Sequence, residues 1–238
     1  MPDKPSKLPP IFTYLDARIP LRAHEHVAIL HCGEASAVDC AGFLSEGLSL
    51  GDCCCYLAPV NVQIAMETRL RELGVDVDRH LDDDTLQIPP ALGPPDGWVD
   101  WAKSVFLGAE LANAPGVRIL EEDVQPAAET LPTREFFEFH SRLNYLVKHY
   151  RSVVLCQYDA EYLKIQHLFS VIAVHRHLLV EGALVRDNPF YIPVEKYLAM
   201  STEERGRNLR DVYHAVGFDV KKLLATLAGY GQLQGSRR

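Results

Sequence analysis

Short apolar runs that alternate with helix-patterned stretches constrain this chain more than any other feature. Val27-Ala28-Ile29-Leu30-His31-Cys32 shows no polar alternation and reads as a strand buried on both faces. Residues 35–50 then place Val38, Ala41, Phe43, Leu44 and Leu48 at helical spacing, and Gly47 and Gly51 mark the helix end. Cys53 to Leu57 reads as a second strand stopped by Pro59, followed by a helix capped by Asn61 and ended at Gly74. Thr85–Ile88, Val117–Leu120 and Val153–Tyr158 are further strands. Helices are expected around Trp98–Leu111, over Thr133–Tyr150 and over Tyr162–Val174. Leu178–Val180 and Leu184–Val185 flank Glu181-Gly182-Ala183 as a hairpin or sharp turn. Strands alternating with helices imply parallel pairing through right-handed crossovers. The expected class is α/β: three layers, α/β/α, around a mostly parallel central sheet, with a C-terminal helical extension.

Three segments follow. Residues 1–21 begin Lys- and Pro-rich and read as a flexible lead. Residues 22–200 carry the alternation. Residues 201–238 are a helical extension with Leu209, Val212, Tyr213, Val216, Leu223, Leu224 and Leu227 at helical spacing, which packs on its own domain or makes a homo-oligomer. A net charge of -8 argues against direct nucleic-acid binding, because phosphate contacts need clustered Lys and Arg. No apolar stretch approaches the ~20 residues that cross a bilayer, and Met1–Pro10 has no apolar signal core. A cytoplasmic protein without membrane contact is expected. Of six cysteines, Cys53, Cys54 and Cys55 are adjacent in an apolar run. Neighbours on a strand point to opposite faces and do not bridge, so they read as small hydrophobes in the core.

The link after the first strand is where a nucleotide-binding α/β frame would carry G-x-x-x-x-G-K-[ST], whose amides cradle phosphate while the Lys neutralises it and the hydroxyl holds Mg²⁺. Here it reads His31-Cys32-Gly33-Glu34-Ala35-Ser36-Ala37-Val38-Asp39. One Gly remains, no Lys stands between Lys7 and Lys103, and Glu34 and Asp39 add negative charge. Such a loop is expected to bind ATP poorly.

The surrounding residues nevertheless resemble a known layout. Phe43-Leu44-Ser45-Glu46-Gly47-Leu48-Ser49-Leu50-Gly51-Asp52 before Cys53–Leu57 is similar to the "FLxEGLxxGE" helix end and strand of the KaiC branch of RecA-like ATPases. A closer resemblance is to the MEDS family, a sensory domain named after methanogen and methylotroph proteins and the regulator DcmR. It rests on Phe43–Leu57, Arg142-Leu143-Asn144, Leu155-Cys156-Gln157-Tyr158-Asp159 and Asp187-Asn188-Pro189-Phe190-Tyr191-Ile192-Pro193, and it covers roughly residues 22–200. What it implies is a RecA/KaiC-like frame without a working phosphate loop, used as a signal-input domain. The implied partner is a regulatory protein such as a kinase, an anti-sigma factor or a transcription regulator.

In open parallel sheets, ligands bind beyond the carboxyl ends of the strands. That rule gathers His31, Cys32 and Glu34, then Glu121, Glu122 and Asp123, then Gln157, Tyr158 and Asp159 on one rim, and Tyr191 is added as an aromatic pocket wall. These residues are candidates for an unknown small-molecule ligand; the bland reading is a solvated acidic rim around a relic pocket. His24 with His26, and His175 with His177, could each present two imidazoles. The tight spacing of a structural zinc site is absent, so no metal and no cofactor is assigned. No G-x-S-x-G elbow occurs, and no catalytic residue is assigned. The preferred reading is a non-enzymatic sensory or regulatory domain. The alternatives are a nucleotide-binding protein or ATPase with a non-standard loop, and a scaffold protein.

Overall fold

A computed structural model describes residues 9–33, 37–89, 95–122, 133–216 and 219–235. The chain opens with β1 (Ile11–Leu15) and β2 (Ile19–Arg22), then β3 (Glu25–His31), α1 (Ala41–Leu50), β4 (Cys53–Leu57), α2 (Val60–Glu72), α3 (Val77–Asp82) and β5 (Leu86–Gln87). It continues through α4 (Pro95–Leu111), β6 (Val117–Glu122), α5 (Thr133–His149), β7 (Ser152–Asp159), α6 (Ile165–Val174), β8 (His177–Val180) and β9 (Ala183–Val185). It closes with α7 (Val194–Ala199), α8 (Thr202–Val216) and α9 (Val220–Gly235).

Seven strands form one sheet in the order β5-β4-β6-β7-β3-β8-β9. Every neighbouring pair is parallel except β8–β9. The three-layer expectation therefore holds. Period-two alternation divides the core: Ala28, Leu30, Ile119, Val154 and Cys156 face one side with α4, α5, α6 and α9. Val27, Ile29, Leu120, Val153 and Leu155 face the other with α1, α2 and the β1–β2 hairpin. The β8–β9 turn puts Glu181 at φ 49° and Gly182 at φ 75°. Two positive angles in a row match the twist of a tight hairpin.

Two local expectations change and a third narrows. The flexible lead over residues 1–21 gives way from Ile11 to an antiparallel hairpin, because Phe12, Leu15 and Leu21 are buried against the sheet's helical layer. The first helix starts at Ala41 rather than near residue 35, so the link after β3 is longer than expected. For the C-terminal extension, the alternative of packing on its own domain is the one α9 follows: Leu223, Leu224, Leu227 and Ala228 are buried in the core. Gln234 also exchanges two hydrogen bonds with the Arg186 backbone, one of them 2.8 Å from the Arg186 amide.

One buried cation ties the hairpin to the sheet. Arg118 on β6 is fully buried, with Nε donating to Asp52 Oδ2 at 2.8 Å and Nη1 donating to Phe43 O and Glu46 Oε2, each at 2.8 Å. Its guanidinium lies 5.1 Å from the ring centres of both Phe12 and Phe43. Gly47 exists because of it: a Cβ there would sit 2.5 Å from Arg118 Cδ.

Candidate functional site

The carboxyl ends of β3, β6 and β7 lie side by side, with His31 opposite Asp159 and Glu122 opposite Gln157. This register builds a hydrogen-bonded chain across the rim. Tyr56 Oη on β4 donates to Glu122 Oε2 at 2.6 Å, and Gln157 Nε2 donates to Glu122 Oε1 at 3.0 Å. Gln157 Oε1 then accepts the Val38 amide at 3.1 Å. The Gly33 amide donates to both Asp159 carboxylate oxygens, at 3.2 and 3.1 Å, and the Glu161 amide donates to Oδ1 at 3.0 Å. His31 Nδ1 donates to the Gly33 carbonyl at 3.1 Å. Amides of the link after β3 thus point at carboxylate and carboxamide groups of the chain itself. Cys32 is partly exposed, and its thiol pKa is raised by burial and by nearby Glu161 and Asp159. Glu34 and Asp123 lie outside the described residues.

Alternation sends the rest of the expected rim elsewhere. Glu121 and Tyr158 point through the sheet to the opposite face, where both are buried. With no solvent to stabilise its charge, Glu121 has its pKa pushed up to about 7. Its Oε2 lies 3.7 Å from His140 Nε2, and Tyr158 Oη lies 3.4 Å from the same nitrogen. Beside them His26, His140, Cys156 and His175 are all buried, with one ligand-type atom from each lying within 4.8 Å of all the others. His26 and His175 have ring centres 4.4 Å apart, and His140 and His175 5.1 Å. Burial lowers the pKa of all three imidazoles, so they are neutral at neutral pH. Such donors are suited to a metal ion.

The family model described as "MEthanogen/methylotroph, DcmR Sensory domain" matches residues 25–176. The chain belongs to the MEDS family. No curated protein sequence matches this MEDS chain. Among solved structures it is similar to PH0321, an uncharacterized protein from Pyrococcus horikoshii in complex with an unknown peptide, at 15% identity and a TM-score of 0.51. That match covers 66% of this chain and 77% of the other. It is also similar to the KaiC-like protein PH0186 from Pyrococcus horikoshii OT3, at 11% identity, a TM-score of 0.46, and coverage of 72% and 76%. At 15% identity the likeness to PH0321 is one of fold.

Tyr191 of the MEDS chain is not brought to the rim. It lines a cleft of about 290 Å³ with Phe190, Lys196, Tyr197 and the far end of α6. The segment is tied there by Asn188 Nδ2, which donates to Ile172 O at 2.7 Å and His175 O at 3.0 Å. That end of α6 leads directly into β8, so the cleft lies toward the amino-terminal edge of the sheet.

Neither expected histidine pair forms. His24 precedes β3 and meets Val147 O at 3.0 Å, while His177 lies outside the His/Cys cluster. The residues that do meet carried a weak signal. His26 and Cys156 share a face by strand alternation, and His140 is in phase with inward Leu143 and Val147 on α5. Tyr56, which completes the rim, shares its face with Cys54.

Proposed function

We propose that this chain is a non-enzymatic signal-input domain that takes a small ligand at the carboxyl ends of β3, β6 and β7 and passes the change to a regulatory protein. The carrying observation is that the Gly33 and Val38 amides, among the described residues of the link after β3, are taken by the chain's own side chains. In a phosphate loop these amides would be left for phosphate oxygens. Here Asp159 accepts the Gly33 amide and Gln157 accepts the Val38 amide. Glu122 and Asp159 put carboxylates at the adjoining ends of β6 and β7, so a polyphosphate there would meet repulsion as well as occupied donors. The rim therefore favours a neutral or cationic polar molecule able to donate to Glu122 and Asp159. Binding it would exchange with the bonds to Gly33 and Val38 and so move the link and α1, which gives a route from ligand to surface.

Calorimetric titration with Mg²⁺-ATP tests the first half: no heat of binding is expected at micromolar nucleotide, and micromolar affinity would sink the reading. A thermal-shift screen of neutral and cationic metabolites tests the second, because a ligand of the folded state raises Tm by mass action. A second reading, a scaffold with an inert rim, is favoured by how fully the rim groups satisfy one another. It would be supported by a screen in which no compound shifts Tm.

A further inference from the structure

We propose that His26, His140, His175 and Cys156 form a buried site for one divalent transition-metal ion, zinc in preference, between the β3–β7 face of the sheet and helices α5 and α6. The site goes beyond the sensory reading and stands whether or not the rim takes a small ligand. The four side chains come from four elements: β3, α5, β7 and the residue that caps α6. Their convergence to within 4.8 Å is a product of the fold rather than of a short motif.

The surrounding hydrogen bonds orient two of the rings inward. His175 Nδ1 is 2.8 Å from Val171 O and can only donate to it, which leaves Nε2 with a lone pair. That Nε2 is buried and meets no hydrogen-bond partner. Asn144 Nδ2 donates to His140 O at 3.0 Å and Val174 O at 2.6 Å, which fixes its carboxamide with Oδ1 toward His26 Nδ1 at 3.2 Å. His26 therefore donates through Nδ1 and turns its Nε2 lone pair to Cys156 Sγ, 3.3 Å away. A ring nitrogen held by a carbonyl while the other faces a shared centre is the outer-shell arrangement that metal-ligating histidines show.

Charge selects the ion. The imidazoles are neutral donors, and the Cys156 thiol faces the His26 Nε2 lone pair at 3.3 Å. Coordination replaces the S–H bond by an S–metal bond, and the released proton leaves for solvent. The thiolate and Glu121, which gives up to solvent any proton it holds as the ion enters, then balance a divalent ion in a space that would penalise any net charge. Three nitrogens and one sulfur are a borderline donor set that suits zinc, whereas calcium and magnesium need oxygen. Tetrahedral zinc at bond lengths of about 2.0–2.3 Å needs donors about 3.3–3.7 Å apart, so the rings close inward by about 1 Å on binding.

The test uses the full chain, stripped with a chelator and titrated with Co²⁺ and Zn²⁺. Intense visible absorption from tetrahedral cobalt and a near-ultraviolet thiolate-to-cobalt band, saturating at one ion per chain, are expected. Zinc should bleach both bands by displacement. Zinc at about 100-fold above its Kd should raise Tm by about 5–10 °C. Cys156→Ser should abolish the charge-transfer band, and Asn144→Leu should weaken affinity about 10- to 100-fold while keeping the spectrum. His24→Ala and His177→Ala should leave both bands unchanged. Six-coordinate cobalt spectra, bands that survive Cys156→Ser, or a chain that binds copper(I) but not zinc would overturn the assignment. The wild-type titration alone decides it if a variant fails to fold.

Discussion

Gln157→Leu probes the rim most directly, because one side chain holds both the link after β3 and the Glu122 carboxylate. Leu is close to Gln in size, so the change removes hydrogen bonds without opening a large cavity. Gln157 is 8% exposed. The bond to the Val38 amide is neutral and contributes about 0.5–1.5 kcal/mol; the bond to Glu122 is charge-assisted and contributes about 1.5–3 kcal/mol. Tyr56 still donates to Glu122 at 2.6 Å, and burying Leu returns part of the loss. A net loss of about 1–3 kcal/mol is expected, which for a domain of this size is a Tm drop of about 3–10 °C. Urea unfolding followed by circular dichroism gives the energy, and amide exchange at Gly33 and Val38 gives the location. Val38 should exchange faster in the variant while residues of β4 do not. The double variant with Glu122→Gln should show a coupling of about 0.5–3 kcal/mol. A loss below about 0.5 kcal/mol with unchanged exchange at Val38 would refute the claim that Gln157 staples this link.

Other outcomes follow from the same physics. Arg118→Met should cost about 3–5 kcal/mol in chemical denaturation, because it leaves the buried Asp52 carboxylate without its cation. Adding Asp52→Leu to that variant should recover a substantial part of the loss; no recovery would mean that the cost is one of packing. Gly47→Ala should destabilise by about 1–3 kcal/mol, since its Cβ would lie 2.5 Å from Arg118 Cδ, and the same substitution in an Arg118→Met background should be milder. Glu181→Asn should raise stability by about 0.5–1 kcal/mol in the same assay, because Asn tolerates the φ of 49° better than Glu.

The sequence by itself determined the layers. Apolar strands such as Val27–Leu30 and Cys53–Leu57 are buried end to end, and that pattern admits only a sheet covered on both faces. The same reading correctly brought His31, Glu122, Gln157 and Asp159 to neighbouring strand ends, since parallel strands that start together also finish together. It missed the face. On β6 and β7, Glu121 and Tyr158 belong to the core side and Glu122, Gln157 and Asp159 to the rim, and one residue of phase decides which. It also missed the hairpin at Ile11–Arg22, whose burial depends on Arg118, a residue about a hundred positions away that no local pattern connects to it. The His/Cys cluster is the extreme case. His26, His140, Cys156 and His175 have no motif spacing; the sequence offers His26 and His175 only with the wrong neighbours, His24 and His177, and His140 and Cys156 look like ordinary core residues. Only the sheet order, with β3 laid beside β7, and the packing of α5 and α6 over that pair bring their donor atoms together. Distance in space between elements is a product of topology, and local periodicity carries no information about it.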